Sequence, residues 1–294
     1  MQKELLLAIG DDRAASYNLR FLKDTFDSFC DLRLTLFYAA PRSALWDRQE
    51  AGLPLSDEAA DQIVAHNKDR GKKALEDARR WIMDIAGCDG ENLRTKVVHS
   101  RLGTARELIA EAREGLYDAL ILGRRGFSWF EEIFENSVCH ELLWQDIDFP
   151  IWVCKRPPQV PHQNVLLCLD GSEPALRMAD HAGYMLAQEP RQSFTLFHVA
   201  QTGYADVRSS RIFEEALAIL GEHGIPEERM DIKMVTGRNP VKAILKEARA
   251  GHYAAVAVGR RGTGSQTRME NLFPSTVSVN LLRQLQETAL WISK

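Results

Sequence analysis

The chain has 294 residues, 45% of them hydrophobic and 27% charged, with a formal net charge of −4. These are the proportions of a globular protein, and the slight acidity gives no electrostatic case for DNA, RNA or an anionic membrane as partner. No apolar run approaches the ~20 residues of a membrane span, and Gln2, Lys3 and Glu4 lead directly into an apolar segment, so neither a membrane anchor nor a signal peptide is expected.

Residues 5–9 (LLLAI) form a first short strand, followed by a helix over about 14–30 with Leu19, Leu22 and Phe26 at helical spacing. LTLFYAA at 34–40 is a second strand, closed by Pro41. A mixed loop containing Gly52 and Pro54 leads into a long helix over about 56–86, for which Ser56 and Asp57 suit the N-terminus. A third strand at 96–100, a helix at 104–114, a fourth strand at 117–123, a helix over 137–144 and a fifth strand at 149–155 complete the first half. Residues 156–163 (RPPQVPHQ) hold three prolines and read as a stiff linker.

The second half repeats the order, with strands at 164–169, 194–200, 231–236, 253–259 and 288–294. Its helices fall at 173–188 and 211–223, and another starts at Pro240, a position where proline is tolerated. LILGRRG (120–126) recurs as VAVGRRG (256–262), and EAREGLYDA (111–119) as EARAGHYAA (247–255). A self-match at this separation means two homologous domains, expected at 1–156 and 163–294. The first-strand matches lie 160 residues apart and the GRRG matches 136 apart, so the first half carries 24 extra residues between its second and third strands. Alternating strands and helices predict α/β architecture: two tandem open α/β sandwich domains, each with a five-stranded parallel sheet and helices on both faces. IWVC and LWIS are apolar where a sheet edge would otherwise lie, so the two fifth strands are expected to meet and form a pseudo-dimer within one chain. Trp152 and Trp291 hold equivalent places in them and read as packing or interface residues. Cys30, Cys88, Cys139, Cys154 and Cys168 form no CxxC pair and read as reduced thiols of a cytoplasmic protein.

In each half GRRG ends an apolar strand, the place where open parallel sheets bind ligands. A glycine pair there allows a sharp turn and lets a phosphate approach main-chain N–H groups. A structural turn explains the same spacing equally well. Arg124, Arg125, Arg260 and Arg261 are candidate phosphate contacts, or else exposed turn residues or partners of nearby carboxylates. HELLW at 140–144 is not a zinc motif, and the chain has neither a GxSxG elbow nor a Walker A loop. His198 reads as a satisfied strand-end histidine, with a place lining the pocket as the alternative.

With FTLFHVA, TGRNPVKAILKEARAG and VAVGRRG, the segment VLLCLDGSEPALRMADHAGYMLA (165–187) resembles the universal stress protein family, and the whole chain resembles its tandem members. The resemblance implies an open five-stranded α/β sandwich. It also implies ATP or a related adenine nucleotide as ligand, bound through an acidic residue after the first strand and a motif G-x2-G-x9-G-[S/T] after the fourth. In the second half these positions are Asp170, Val199 against the adenine, Gly259 and Gly262, with Arg260 beside them. Leu272 stands where the late glycine is expected, and Ser275 and Thr276 supply hydroxyls after a loop two residues longer. In the first half Gly123 and Gly126 match, and Asn136 and Ser137 close the motif at the family spacing. There Gly10, Asp11 and Asp12 replace the Asp-Gly-Ser order, and Glu131, Glu132 and Glu135 make the intervening segment acidic.

The resemblance implies a non-enzymatic stress-response regulator holding an adenine nucleotide in one or both domains, with Asp170 favouring the second. The alternative is a nucleotide-free protein-interaction module of the same family. An ATP-using enzyme such as an ATP pyrophosphatase needs a glycine- and serine-rich loop after the first strand, and LDGSEP is too short and acidic. No nucleophile and base pair is evident, so at most a very slow ATPase is expected, without a metal site. Protein partners are unspecified, and a homodimer of whole chains is a further option.

Overall fold

The computed structural model describes residues 2–10, 16–40, 57–100, 103–123, 138–139, 142, 147–200, 207–260 and 277–293. In the first half β1 (Glu4–Ala8), α1 (Tyr17–Thr25), β2 (Arg33–Ala40), α2 (Asp57–Arg80), β3 (Leu93–His99), α3 (Thr104–Glu114), β4 (Ala119–Gly123) and β5 (Ile151–Cys154) follow one another. The second half runs β6 (Gln163–Leu169), α4 (Glu173–Leu186), β7 (Phe194–Ala200), α5 (Val207–Glu222), β8 (Met230–Thr236), α6 (Pro240–Gly251), β9 (Tyr253–Gly259), α7 (Val277–Gln284) and β10 (Ala289–Ser293).

All ten strands form one sheet in the order β3-β2-β1-β4-β5-β10-β9-β6-β7-β8. Among the described residues each half is parallel throughout, and the single antiparallel pair is β5 with β10. The strands alternate between two cores. Leu5 and Leu7 join α1, α2, α4 and α5 on one face, while Leu6 joins α3, α6 and α7 on the other. Burial on both faces explains why these strands read as continuous apolar runs.

The first helix is shorter than its periodicity suggests. It stops at Thr25 because Phe26 turns extended, and a 3-10 turn at Phe29–Asp31 follows. That turn brings Cys30 within 5.2 Å (Cα to Cα) of Cys88, and the two are joined as a disulfide. The expectation of five reduced thiols therefore fails for this pair, which are 58 residues apart and become neighbours only on folding. Cys139, Cys154 and Cys168 form no disulfide. The cysteine usage no longer speaks for a reducing compartment. The extra first-half sequence lies where expected: α2 has 24 residues and continues into a π-helical turn at Trp81–Ile85, against 16 residues in α5. The expected helix over 137–144 lies mostly outside the described residues.

The two fifth strands meet with Trp152 opposite Trp291, their rings stacked at 3.9 Å between centroids and 5° between planes. Phe26 stacks on Trp152 from the first half, and Phe21 and His181 meet both indoles edge-on. Phe21 and His181 are equivalent under the 160-residue repeat. The duplication has therefore kept the place and changed the chemistry. His181 Nε2 accepts the Trp152 indole N–H at 3.0 Å, while Trp291 Nε1 is buried without a partner. Beside the rings, fully buried Glu189 accepts the Asp27 N–H at 2.6 Å and the Ser28 hydroxyl, and Gln192 donates to the Thr25 carbonyl at 3.0 Å. The ordering of α1 thus depends on groups supplied by the second half.

A polar staple also appears twice. Lys96 pairs with Glu111, which accepts the Tyr117 hydroxyl at 3.2 Å; Lys233 pairs with Glu247, which accepts the Tyr253 hydroxyl at 3.0 Å. Each staple ties α3 or α6 to the edge of its half-sheet.

Burial holds the His181 ring neutral, lowering its pKa from 6.5 to about 3. The unfolded ring takes a proton near 6.5, so between those values the unfolded state binds more protons and stability falls as the pH drops. His181→Phe should cost about 1–3 kcal/mol at pH 7.5, because it orphans the Trp152 N–H. It should also remove about 1.4 kcal/mol per pH unit from the acid limb of the stability profile between roughly pH 6 and 4. Denaturant melts of both proteins across that range check this. Parallel acid limbs would mean that His181 is not the group responsible.

Candidate functional site

The strand order in each half places a topological switch between β1 and β4, and between β6 and β9. Neighbouring connections leave such a point in opposite directions, opening a crevice at the C-terminal ends of the strands. In the second half Asp170 directly follows β6, Gly259 ends β9 and Val199 lies near the end of β7, so three sequence-selected residues gather around one crevice. Gly123 ends β4 at the equivalent place in the first half. Gly126, Asn136, Ser137, Gly262, Ser275 and Thr276 lie outside the described residues, as do Arg124, Arg125 and Arg261.

Asp170 is exposed, and its Oδ1 accepts the Ser172 N–H at 2.9 Å and the Ser172 hydroxyl at 2.5 Å. This is an Asx turn that sets the entry to α4. Gly171 within it has φ +77°, a left-handed conformation suited to glycine. The carbonyl of Ser172 accepts the N–H groups of Ala175 at 3.0 Å and Leu176 at 3.1 Å, and Pro174 has none. The first turn of α4 therefore spends these donors internally.

Gly259 has a different reason from the one its motif suggests. Its φ is not positive, so the turn does not require glycine. A Cβ there would lie 2.2 Å from the Ala175 nitrogen and 2.4 Å from the Pro174 carbonyl carbon. The bare Cα lets the start of α4 rest directly on the end of β9, bringing Asp170 and the β9 terminus to one place. Val199 is half-buried and packs into the core shared with α6 and α7. His198 is satisfied, with Nδ1 2.7 Å from the Leu169 carbonyl oxygen.

Arg260 follows β9. Its main-chain N–H donates to Ser293 at 2.6 Å, continuing the ladder to β10. The side chain is only 5% exposed, and its Nε has no hydrogen-bond partner. Burial depresses the guanidinium pKa. A buried, incompletely bonded cation is costly unless an anion approaches it. Spacing singled out this arginine as one of a pair; only burial separates it from a surface turn residue. Among the described residues no group of three His, Cys, Asp or Glu side chains could hold a metal, and no helix is long and apolar enough to cross a membrane.

Gly259→Ala should destabilise the chain by about 1–3 kcal/mol or more, because the obstruction is backbone and cannot rotate away. Gly221→Ala in α5 meets nothing within 4 Å and should be neutral or stabilising by up to about 1 kcal/mol. Paired chemical melts of the two variants test whether close helix approach explains Gly259.

Residues 161–286 match the family model described as the universal stress protein family. No curated protein matches the chain. Among solved structures, a universal stress protein from Archaeoglobus fulgidus DSM 4304 superposes with a TM-score of 0.71 at 20% identity, over 99% of this chain and 96% of that one. A functionally unknown protein from Pseudomonas aeruginosa PAO1 superposes with a TM-score of 0.57 at 14% identity, over 100% of this chain and 92% of that one. At these identities the superpositions speak for the fold, and they extend it across both halves. The family match is confined to residues 161–286, and across the rest of the chain the likeness to universal stress proteins is one of fold.

Proposed function

We propose that the chain is a non-enzymatic stress-response regulator of two domains, 1–156 and 163–294, whose second domain binds ATP or a related adenine nucleotide. The observation that carries this reading is the convergence of Asp170, Gly259 and the buried, incompletely bonded Arg260 at the β6–β9 switch point. Asp170 is suited to accept a ribose hydroxyl, as acidic residues do in dinucleotide folds. Val199 offers main chain and a methyl-bearing side chain to the adenine. Arg260, Gly262, Ser275 and Thr276 are assigned to the phosphates. In the first domain Gly123, Gly126, Asn136 and Ser137 form the corresponding, weaker site, since Gly10 stands where the second half has Asp170.

The second reading is a nucleotide-free interaction module. It draws on Asp170, whose carboxylate already has a local task in holding Ser172. Mass spectrometry of small molecules released on denaturing the purified chain separates the two. We expect an adenine nucleotide, and calorimetry should show Asp170→Ala weakening its binding by about tenfold or more, equivalent to one charge-assisted hydrogen bond. Unchanged affinity in a folded variant would remove Asp170 from the site. Steady-state ATP turnover should stay well below about 1 per second, because the candidate residues include no dedicated base.

A further inference from the structure

The ten-stranded sheet ends in two equivalent edge strands, β3 and β8, which the duplication has treated differently. Register identifies the counterparts. Thr35, Leu36 and Phe37 pair with Arg94, Thr95 and Lys96, and the equivalent Thr195, Leu196 and Phe197 pair with Asp231, Ile232 and Lys233. Over β3 the long helix α2 packs on both β2 and β3. The shorter α5 packs on α4 and β7, and four consecutive β8 residues, Asp231 to Met234, are exposed. Ile232 is 54% exposed and Met234 44%, both on the face against which α2 packs in the other half. An edge with open backbone groups and bare apolar side chains is a template for another strand.

Charge decides which strand. In an antiparallel pair of two β8 strands centred on Ile232, each Asp231 stands opposite Lys233 of the second copy. Met230, Ile232 and Met234 then meet the same three residues in one apolar stripe on the opposite face. Opposite charges directly across a strand pair attract and like charges repel. The same operation on β3 sets Arg94 against Lys96 and fails. A mixed β3–β8 pair sets Lys233 against Arg94 and fails in part. Only the β8 edge is self-complementary, and a two-fold contact of this kind closes after two copies. The chain already joins its own halves by an antiparallel pair of equivalent strands, β5 with β10.

We propose that β8 is a homodimerisation edge, where a second copy of this chain adds antiparallel through Met230–Met234 with Asp231 and Lys233 setting the register. Lys233 already bonds Glu247 at 2.7 Å, which holds its ammonium at the edge rather than leaving it free in solvent.

Sedimentation velocity on the full chain tests this. The parent should dimerise, and Asp231→Lys should raise the dimer dissociation constant by about tenfold or more, since two attractive pairs become repulsive. Lys233→Glu should act alike, and mixing the two variants in equal amounts should restore a dimer, because each supplies the charge the other lacks. Arg94→Gln, on the other edge, gives β3 no opposite charge for Lys96 and should not change the assembly. Should Lys233→Glu disturb folding through Glu247, Ile232→Arg provides the second disruption. The proposal is overturned if the parent stays monomeric at about 100 μM, if its dimer survives both Asp231→Lys and Ile232→Arg, or if folded partner variants fail to recombine.

Discussion

The stacked pair of Trp152 and Trp291 is the contact on which the rest of the structure depends. It sits at the centre of the antiparallel β5–β10 pair, and everything else in each half is parallel. Without that pair, two short strands buried throughout in the folded chain, IWVC and ALWIS, would be exposed edges. With it, ten strands share two continuous cores, and neither half buries its fifth strand alone. The antiparallel seam has a further consequence. Strands of the two halves run in opposite directions, so their C-terminal ends lie at opposite margins of the sheet. The two candidate ligand crevices therefore face away from each other, and each must be complete within its own half.

Duplication supplied a symmetric frame, and divergence appears as single changes of chemistry at matched places. His181 and Phe21 flank the indole pair; His181 accepts the Trp152 N–H, whereas Phe21 has no acceptor to offer and the Trp291 N–H stays unpaired. Asp231 and Arg94 occupy matched edge positions with opposite charge. Asp170 follows β6 where Gly10 follows β1. The staples of lysine, glutamate and tyrosine, by contrast, persist in both halves. They tie helix to sheet in an arrangement that neither ligand nor partner need alter.

The candidate site joins two demands. Gly259 is kept small by the backbone of α4, and the same approach sets Asp170 beside the β9 terminus. Arg260 is buried just beyond, with one nitrogen unbonded. Packing and ligand chemistry thus converge on neighbouring residues. A glycine motif read from sequence could not tell one demand from the other.

The sequence alone determined the elements and their order, because apolar runs, helical periodicity and an internal repeat are local signals. LTLFYAA and FTLFHVA, GRRG twice, and the 24 surplus residues before β3 were all legible in this way. They also led to the family resemblance and to Asp170, Val199, Gly259 and Arg260 as candidate site residues. Only the tertiary structure decided which side chains meet across long separations. The Cys30–Cys88 bond depends on a 3-10 turn that breaks the expected helix, and the Glu189 contact to Asp27 and Ser28 spans some 160 residues. The burial of Arg260, the steric reason for Gly259 and the bare face of β8 arise in the same way, from packing between elements rather than from the propensity of any one of them.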